Sequence, residues 1–302
     1  MEKIIHWKLL IICLNKNRYL FQRIIEEAPK SDINISIIHY ADIEIDIDQE
    51  TKVLVNGSNL PEFDAVILDA PQTYTVIRNF LVSLFSKSNV YILNGESLSN
   101  WLTLSKLTQI YELQSRGIPV TPSRMFGSKS QLMLAASHMD FPRVAKSIDG
   151  SSGRNVWEIK SQEDLQETPL QYHVPHHLLI QPKINAQMEF RVIVIGDKVL
   201  GAVIKTPNSG DFRANWSQGA TLSKTDLPAK VENIAITSCQ ILKCDFAGID
   251  ILYSKNKGVE SCWVLEVNRL CGFEGFEQVT QMNVASALLN WISKKLEVLS
   301  QS

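Results

Sequence analysis

Between residues 8 and 14 the chain is apolar throughout and bounded by polar residues, which predicts a buried strand from Lys8 to Leu14. The segment that follows, to about Ala28, repeats apolar residues at helical spacing, so the two together open an α/β unit. Ile35 to His39 predicts a second strand. Phe63 to Leu68 and Val90 to Leu93 complete a small, largely parallel sheet with helical crossovers. Between them Ile43-Glu44-Ile45-Asp46-Ile47-Asp48 alternates strictly, and Val53 to Val55 runs into Asn56-Gly57, a dipeptide that favours a tight hairpin turn. A first unit over residues 1–96 is expected.

The pattern then changes. A helix from about Thr103 to Arg116 ends at Gly117, whose freedom at positive φ suits a C-cap, and Pro119 and Pro122 stiffen the exit. Phe141 to Lys146 and Asn155 to Lys160 read as two strands joined by a Gly/Ser turn. Ser161-Gln162-Glu163-Asp164 is an approximate capping box that starts a helix. Leu178 to Ile180, Arg191 to Ile195 and Val199 to Ile204 supply further strands, the last two joined by a hairpin at Gly196-Asp197. Met282 to Leu296 has the apolar spacing of a helix packed on a core by one face. Residues 97–302 therefore form a second unit, with a small lid at about 123–183 and a C-terminal part at about 184–302.

Length and composition agree with this division. A chain of 302 residues, 45% of them hydrophobic, can bury a substantial core in about two units. A net charge of -2 gives no basic footprint for nucleic acid. The longest apolar runs are too short to cross a membrane, and the charged start Met1-Glu2-Lys3 lacks the layout of a signal peptide, so neither membrane nor nucleic acid is an expected partner and a cytoplasmic location is expected. The five cysteines are odd in number and never spaced as CxxC, which indicates neither a disulfide framework nor a zinc site.

Chemistry concentrates in DFAGIDILYSKNKGVESCWVLEVNRLCGFEG, residues 245–275. Asp250 is expected at the end of one strand and Glu266-Val267-Asn268 at the end of the next. Alternation sends Glu266 and Asn268 to one face while Val267 turns inward. Two carboxylates and an amide oxygen suit Mg²⁺, which completes its octahedron with water and phosphate oxygens. The plainer alternative is that Asp250 caps a turn and Glu266 is solvated. Lys146 stands in the apolar strand Val144-Ala145-Lys146, where a buried ammonium needs an anionic partner such as a nucleotide phosphate. Gly150-Ser151-Ser152-Gly153, between two strands, is neither a Walker loop nor a dinucleotide fingerprint; it reads as a flap over phosphates, or as an ordinary hairpin. Gln181 ends an apolar run, and Glu189 and Arg191 share one face of the next strand. Arg191 and Arg213 are suited to forked contacts with phosphate or carboxylate and Glu189 to ribose hydroxyls, with a salt-bridge network as the alternative.

The order of these motifs resembles the ATP-grasp superfamily and, within it, the RimK-type (glutamate ligase-like) carboxylate-amine ligases, over nearly the whole chain. SKLTQIYELQSRGIPVTPS is similar to that family's lysine-bearing linker helix, and FPRVAKSIDGSSGRNV to its second lysine strand and flap. EFRVIVIGDKVLGAVIK and GDFRANWSQGA resemble its arginine motifs, and AGID with LEVN its metal triad. The resemblance implies a mixed α/β and α+β chain: an ATP-grasp fold behind an N-terminal Rossmann-like pre-ATP-grasp domain. It further implies that Lys106 and Lys146 contact the nucleotide phosphates, that Ser151, Ser152 and Gly153 lie in the flap, that Gln181 and Lys183 lie at the adenine hinge, and that Glu189 holds ribose. Arg191, Arg213 and Asn215 would face the phosphates and the reacting carboxylate, and Asp250, Glu266 and Asn268 would hold Mg²⁺, with Mn²⁺ as an alternative.

The implied reaction is attack of a carboxylate on the γ-phosphate of ATP to give an acylphosphate, which an amine converts to an amide. The substrates would be small-molecule or peptide carboxylates and amines, and the family is compatible with a homo-oligomer. Departures are also visible. Pro182 stands where an acidic residue is usual, Lys205 where an arginine is common, Leu270-Cys271-Gly272 replaces small-Pro-Gly, and Leu68-Asp69-Ala70-Pro71 lacks the usual proline and arginine. These concern acceptor recognition more than nucleotide chemistry. Two other readings are a peptide-modifying enzyme that forms side-chain esters or amides in a precursor, and a nucleotide-binding module without catalysis.

Overall fold

The computed structural model describes residues 6–69, 72–100, 105–148, 155–167, 174–208, 216 and 219–301. In the N-terminal unit the fully apolar stretch becomes β1 (Trp7–Cys13), central in a four-stranded parallel sheet of order β2-β1-β6-β7 with β2 (Ile33–His39), β6 (Ala65–Leu68) and β7 (Tyr91–Ile92). Burial on both faces explains why the two inner strands, β1 and β6, read as continuous apolar runs rather than alternations. Helix α1 (Tyr19–Glu27) and helix α2 (Thr75–Phe85) are the crossovers. The alternating segment does not join this sheet. It forms a separate antiparallel meander of β3 (Ile43–Ile47), β4 (Thr51–Val55) and β5 (Ser58–Asn59), turned at Asn56 and Gly57 with φ of 49° and 77°, the primed-turn geometry that Asn-Gly favours.

Helix α3 (Gly95–Ser99) leads to α4 (Lys106–Ser115), which Ser105 caps through Leu107 N. Gly117, at φ 79°, ends it in a Schellman arrangement: Ile118 N donates to Leu113 O and Gly117 N to Gln114 O. The next part of the chain is a three-stranded antiparallel sheet, β10-β8-β9, made of β8 (Arg143–Ser147), β9 (Val156–Ile159) and β10 (Leu178–Pro182). Its core face is closed by α5 (Lys129–Ala136) and α6 (Gln162–Glu167). At Ser161 the hydroxyl accepts Asp164 N, while Asp164 accepts Lys160 N at 2.8 Å, so the box closes one residue earlier than its reciprocal form.

The C-terminal part is a five-stranded antiparallel sheet, β13-β12-β11-β14-β15. Its strands are β11 (Met188–Ile195), β12 (Lys198–Thr206), β13 (Thr221–Lys224), β14 (Phe246–Asn256) and β15 (Val259–Arg269). One face packs on α7 (Ala229–Ile241), where Val231, Ala235 and Cys239 meet Val192, Val194 and Ile249. Helices α8 (Glu274–Thr280) and α9 (Val284–Ser300) lie between this sheet and the N-terminal one, and Leu288, Leu289 and Ile292 share a core with Leu9, Ile11 and Phe246. Asn94 clasps the two parts: its N and Nδ2 donate to Asp245 Oδ2 and Phe246 O, and its Oδ1 accepts Asp245 N and Phe246 N, at 2.7–3.0 Å.

Candidate active site

Strand register, more than sequence proximity, assembles the site. Glu189 and Arg191 are two residues apart on β11 and share a face. Glu189 pairs with Lys205 of β12, Arg191 with Asp250 of β14, Asp250 with Glu266 of β15, and Gly248 with Asn268. A bulge after Asp250, where Ile251 pairs with Val264, leaves Leu265 as the extra residue and turns Glu266 to the same side as Trp263. Asp250 is therefore not at a strand end, as the apolar run indicated. It lies in the middle of β14, which continues to Asn256 before turning at Lys257 and Gly258.

Asp250 is 2% exposed and receives two bonds from Arg191, Nε to Oδ1 at 2.7 Å and Nη2 to Oδ2 at 2.8 Å, with Lys205 Nζ at 3.3 Å from Oδ1. Burial alone would raise its carboxyl, but Arg191 and then Lys205 bring the pKa down to about 2. Lys205 also donates to Glu189 in a short contact. Burial raises the Glu189 carboxyl and opposes charge on Lys205, yet Asp250 and Glu189 outweigh burial and hold Lys205 as the ammonium. Arg191 is likewise raised: burial works against it and Asp250 prevails. The charges that the sequence places on β11 thus form a buried ion network.

Glu266 and Asn268 face each other, with Asn268 Nδ2 donating to Glu266 Oε1 at 3.0 Å and lying 3.5 Å from Asp250 Oδ2. From the other side come two lysines. Lys106, in the first turn of α4, donates Nζ to Ser147 O at 3.2 Å and lies 4.0 Å from Glu266 Oε2. Lys146, on β8, feels burial first, which lowers its pKa; Glu266, Glu189 and Asp250 raise it and Lys106 lowers it further. Four cations (Lys106, Lys146, Arg191, Lys205) converge on three carboxylates (Glu189, Asp250, Glu266), a balance that favours a polyanion.

Among the described residues no group of three or more His, Cys, Asp or Glu could hold a metal ion, so a metal here would need the Asn268 amide as a ligand. Glu266, Asn268 and Asp250 are all hard oxygen donors on adjacent strands, which fits Mg²⁺ with its remaining positions left to water and phosphate. Gln181 is buried on β10 and donates Nε2 to Ser123 Oγ at 2.7 Å, and Lys183 pairs with Glu158 at 2.8 Å. Ser151, Ser152, Gly153, Arg213 and Asn215 lie outside the described residues. Lys205 and Gly248 were missing from the sequence-derived site. The signal for Lys205 was the one that singles out Lys146, a lysine closing an apolar strand. Gly248 is explained by packing, since a Cβ there would meet Cys271 Cβ and Sγ at 2.9 Å and Arg191 Nη1 at 3.0 Å. Cys271 is buried and its thiol is pushed up to about 11 by burial, which argues against a nucleophilic role.

A family model described as the RimK-like ATP-grasp domain matches residues 103–292, and one described as the RimK PreATP-grasp domain matches residues 7–97. A probable alpha-L-glutamate ligase of Legionella pneumophila (strain Corby) is 27% identical over 302 residues, covering 98% of this chain and 98% of that protein. The ATP-grasp ligase PsnB complexed with a minimal precursor superposes with a TM-score of 0.73 at 14% identity, covering 96% of this chain and 99% of PsnB. The macrocyclase MdnC from Microcystis aeruginosa MRC, bound with the precursor peptide MdnA, gives a TM-score of 0.71 at 14% identity, over 95% of this chain and 99% of MdnC. At that identity the solved structures establish the fold alone. Among the described residues no helix is long and apolar enough to cross a membrane.

Proposed function

The chain belongs to the RimK-like ATP-grasp family of ADP-forming carboxylate-amine ligases, and on that premise we propose how its residues divide the work. ATP and Mg²⁺ are the nucleotide and metal of this chemistry. A substrate carboxylate displaces ADP from the γ-phosphate, and an amine then displaces phosphate from the acylphosphate, giving an amide, ADP and inorganic phosphate. The observation that carries the assignment of residues is the convergence of Lys106, Lys146, Arg191 and Lys205 on the Asp250-Glu266-Asn268 face.

In this reading Lys106 and Lys146 hold the phosphates and offset the charge that develops on the transferring phosphoryl group. Arg191, held in place by its fork to Asp250, is assigned with Arg213 and Asn215 to the phosphates and the reacting carboxylate, and Ser151, Ser152 and Gly153 to the flap. Gln181 and Lys183 line the adenine hinge and Glu189 the ribose. Glu266, Asn268 and Asp250 supply the oxygen atoms for Mg²⁺, which when bound neutralises phosphate charge. No covalent enzyme intermediate is required. The division at residue 96, the lid at 123–183, a cytoplasmic location and a homo-oligomeric state belong to the same proposal.

The likeness to a probable alpha-L-glutamate ligase supports an amino acid of the glutamate type as the amine, joined to a small-molecule or peptide carboxylate. A second reading, side-chain ester or amide formation in a precursor peptide, is favoured by the altered loop Leu270-Cys271-Gly272 and by the likeness to PsnB and MdnC. Phosphate release from Mg²⁺-ATP, measured against carboxylates, amino acids and peptides with product masses read in parallel, tests both. A ligase gives acceptor-dependent release and a product equal to both substrates minus water, and Glu266→Gln gives neither. Phosphate release that is independent of every acceptor would contradict the assignment.

A further inference from the structure

The parallel sheet runs β2-β1-β6-β7, so the chain leaves β1 toward one edge and returns through β6 toward the other. In doubly wound sheets ligands bind in the crevice beyond the carboxyl ends of the strands at this switch point. Here that ledge includes Arg18, after β1, and Asp69, after β6. Arg18 Nη1 meets Asp69 Oδ1 there at 2.5 Å, and Arg18 Nη2 reaches Leu270 O at 3.4 Å, so the crevice opens onto the segment that follows Asn268. Tyr40, fully buried, donates its hydroxyl to Asp69 O at 2.6 Å and stacks on Tyr74 at the entry to α2.

Helix α2 adds a cation to this ledge. Its buried residues are Arg78, Leu81, Val82 and Phe85, the spacing of a core-facing stripe, so Arg78 occupies a core position in the helix's first turn, where the chain has just left the sheet. Arg78 is 3% exposed. Its Nε and Nη2 both donate to Asn79 Oδ1, at 3.2 and 2.9 Å, and among the described residues no carboxylate stands within ion-pair distance of it. Asp69 is engaged by Arg18. Burial lowers the pKa of Arg78, Tyr40 and Asp69 oppose this, and Arg269, the neighbour of Asn268, adds to it. A guanidinium so placed is costly unless an anion joins it.

We propose that Arg78 determines specificity for the amine substrate by pairing, in a forked contact, with a carboxylate that this substrate carries besides its amine. The inference rests on the ligase reading. Lys106 from α4 and Lys146 from β8 approach Glu266 on the side where the nucleotide is placed, whereas the crevice lies beyond Asn268 along Arg269, Leu270 and Cys271. The group it holds therefore belongs to the non-nucleotide substrate, at the end away from the phosphates. A planar fork suits a carboxylate in two-point contact, which a neutral amide cannot provide.

The test is calorimetric binding to the full chain with Mg²⁺ and a non-hydrolysable ATP analogue, using wild type, Arg78→Met and Arg78→Lys. The probes are L-glutamate, its α-amide and tetraglutamate. Binding of L-glutamate would identify a free amino acid as the source of the carboxylate, and binding of tetraglutamate alone would identify an acidic peptide. With the amino acid, the α-amide should bind about tenfold or more weakly to wild type. Arg78→Met should weaken the bound probe to the same extent and erase any preference for the free carboxylate, with Arg78→Lys intermediate. Arg78→Met should also melt at or above the wild-type temperature, because it removes a buried charge that no carboxylate among the described residues pairs at ion-pair distance, whereas a merely structural arginine would lower the melting temperature and leave the affinities alone. Unchanged affinities in Arg78→Met, or no binding of L-glutamate or tetraglutamate to wild type, would overturn the proposal. Wild type that binds a probe yet forms no ADP when ATP replaces the analogue and a carboxylate substrate panel is added would fail the ligase reading and leave the Arg78 contact standing.

Discussion

Replacing Asp250 with Asn keeps the side chain's shape but leaves two buried cations without their shared counter-ion. Arg191 holds Asp250 at 2.7 and 2.8 Å and Lys205 approaches at 3.3 Å, in a position 2% exposed. Arg191 and then Lys205 outweigh burial and bring the carboxyl pKa from 3.8 to about 2, which favours the folded, ionised state by about 2–3 kcal/mol. Breaking a buried pair by removing one partner costs about 3–5 kcal/mol. A loss of about 2–5 kcal/mol is therefore expected, a drop of roughly 5–15 °C in Tm for a chain of this size. Because the folded pKa is depressed, this stability is fully present above about pH 4 and is lost as pH falls through about 2. Scanning fluorimetry at neutral pH, with urea titrations down to pH 2, reads both effects. Glu266→Gln is the control: its side chain is 29% exposed with Lys106 at 4.0 Å, so it should cost under about 1 kcal/mol. Asp250→Asn melting with wild type, and with an unchanged acid profile, would refute the ion network as a stabilising feature.

Three further outcomes follow from the same geometry. Gly248→Ala should cost about 1–3 kcal/mol by urea titration and weaken nucleotide binding, because its Cβ would press on Cys271 at 2.9 Å and Arg191 at 3.0 Å. Asn94→Ala should lower stability by roughly 2–4 kcal/mol, since the backbone N-H groups of Asp245 and Phe246 lose their acceptor; hydrogen exchange should show those amides less protected. Glu266→Gln should lose bound Mn²⁺, read by electron paramagnetic resonance in the presence of ADP, while keeping the wild-type melting temperature.

Much of this was legible in residue order, and the reasons are physical. A strand buried on both faces has to be apolar throughout, which is why β1 was visible, and Gly117 and Asn56-Gly57 announce positive φ because few other residues adopt it. Helices α5, α7 and α8 carried weaker signals: α8 is short, and α5 and α7 spread their few buried residues among small and polar ones. The facing of Glu266 and Asn268 followed from alternation. That Asp250 lies mid-strand did not, since one apolar run cannot show where a hairpin turns. The pairing of Arg191 and of Lys205 with Asp250 depends on cross-strand register over 59 and 45 residues of sequence separation, which no local pattern records.

Labelling the substrate carboxylate with ¹⁸O tests the central claim most directly. Transfer through an acylphosphate requires one labelled oxygen to leave with phosphate when the amine attacks, so mass spectrometry of the released phosphate should find one ¹⁸O for each amide formed. Unlabelled phosphate accompanying product would contradict the account, because it would mean that the carboxylate is never phosphorylated.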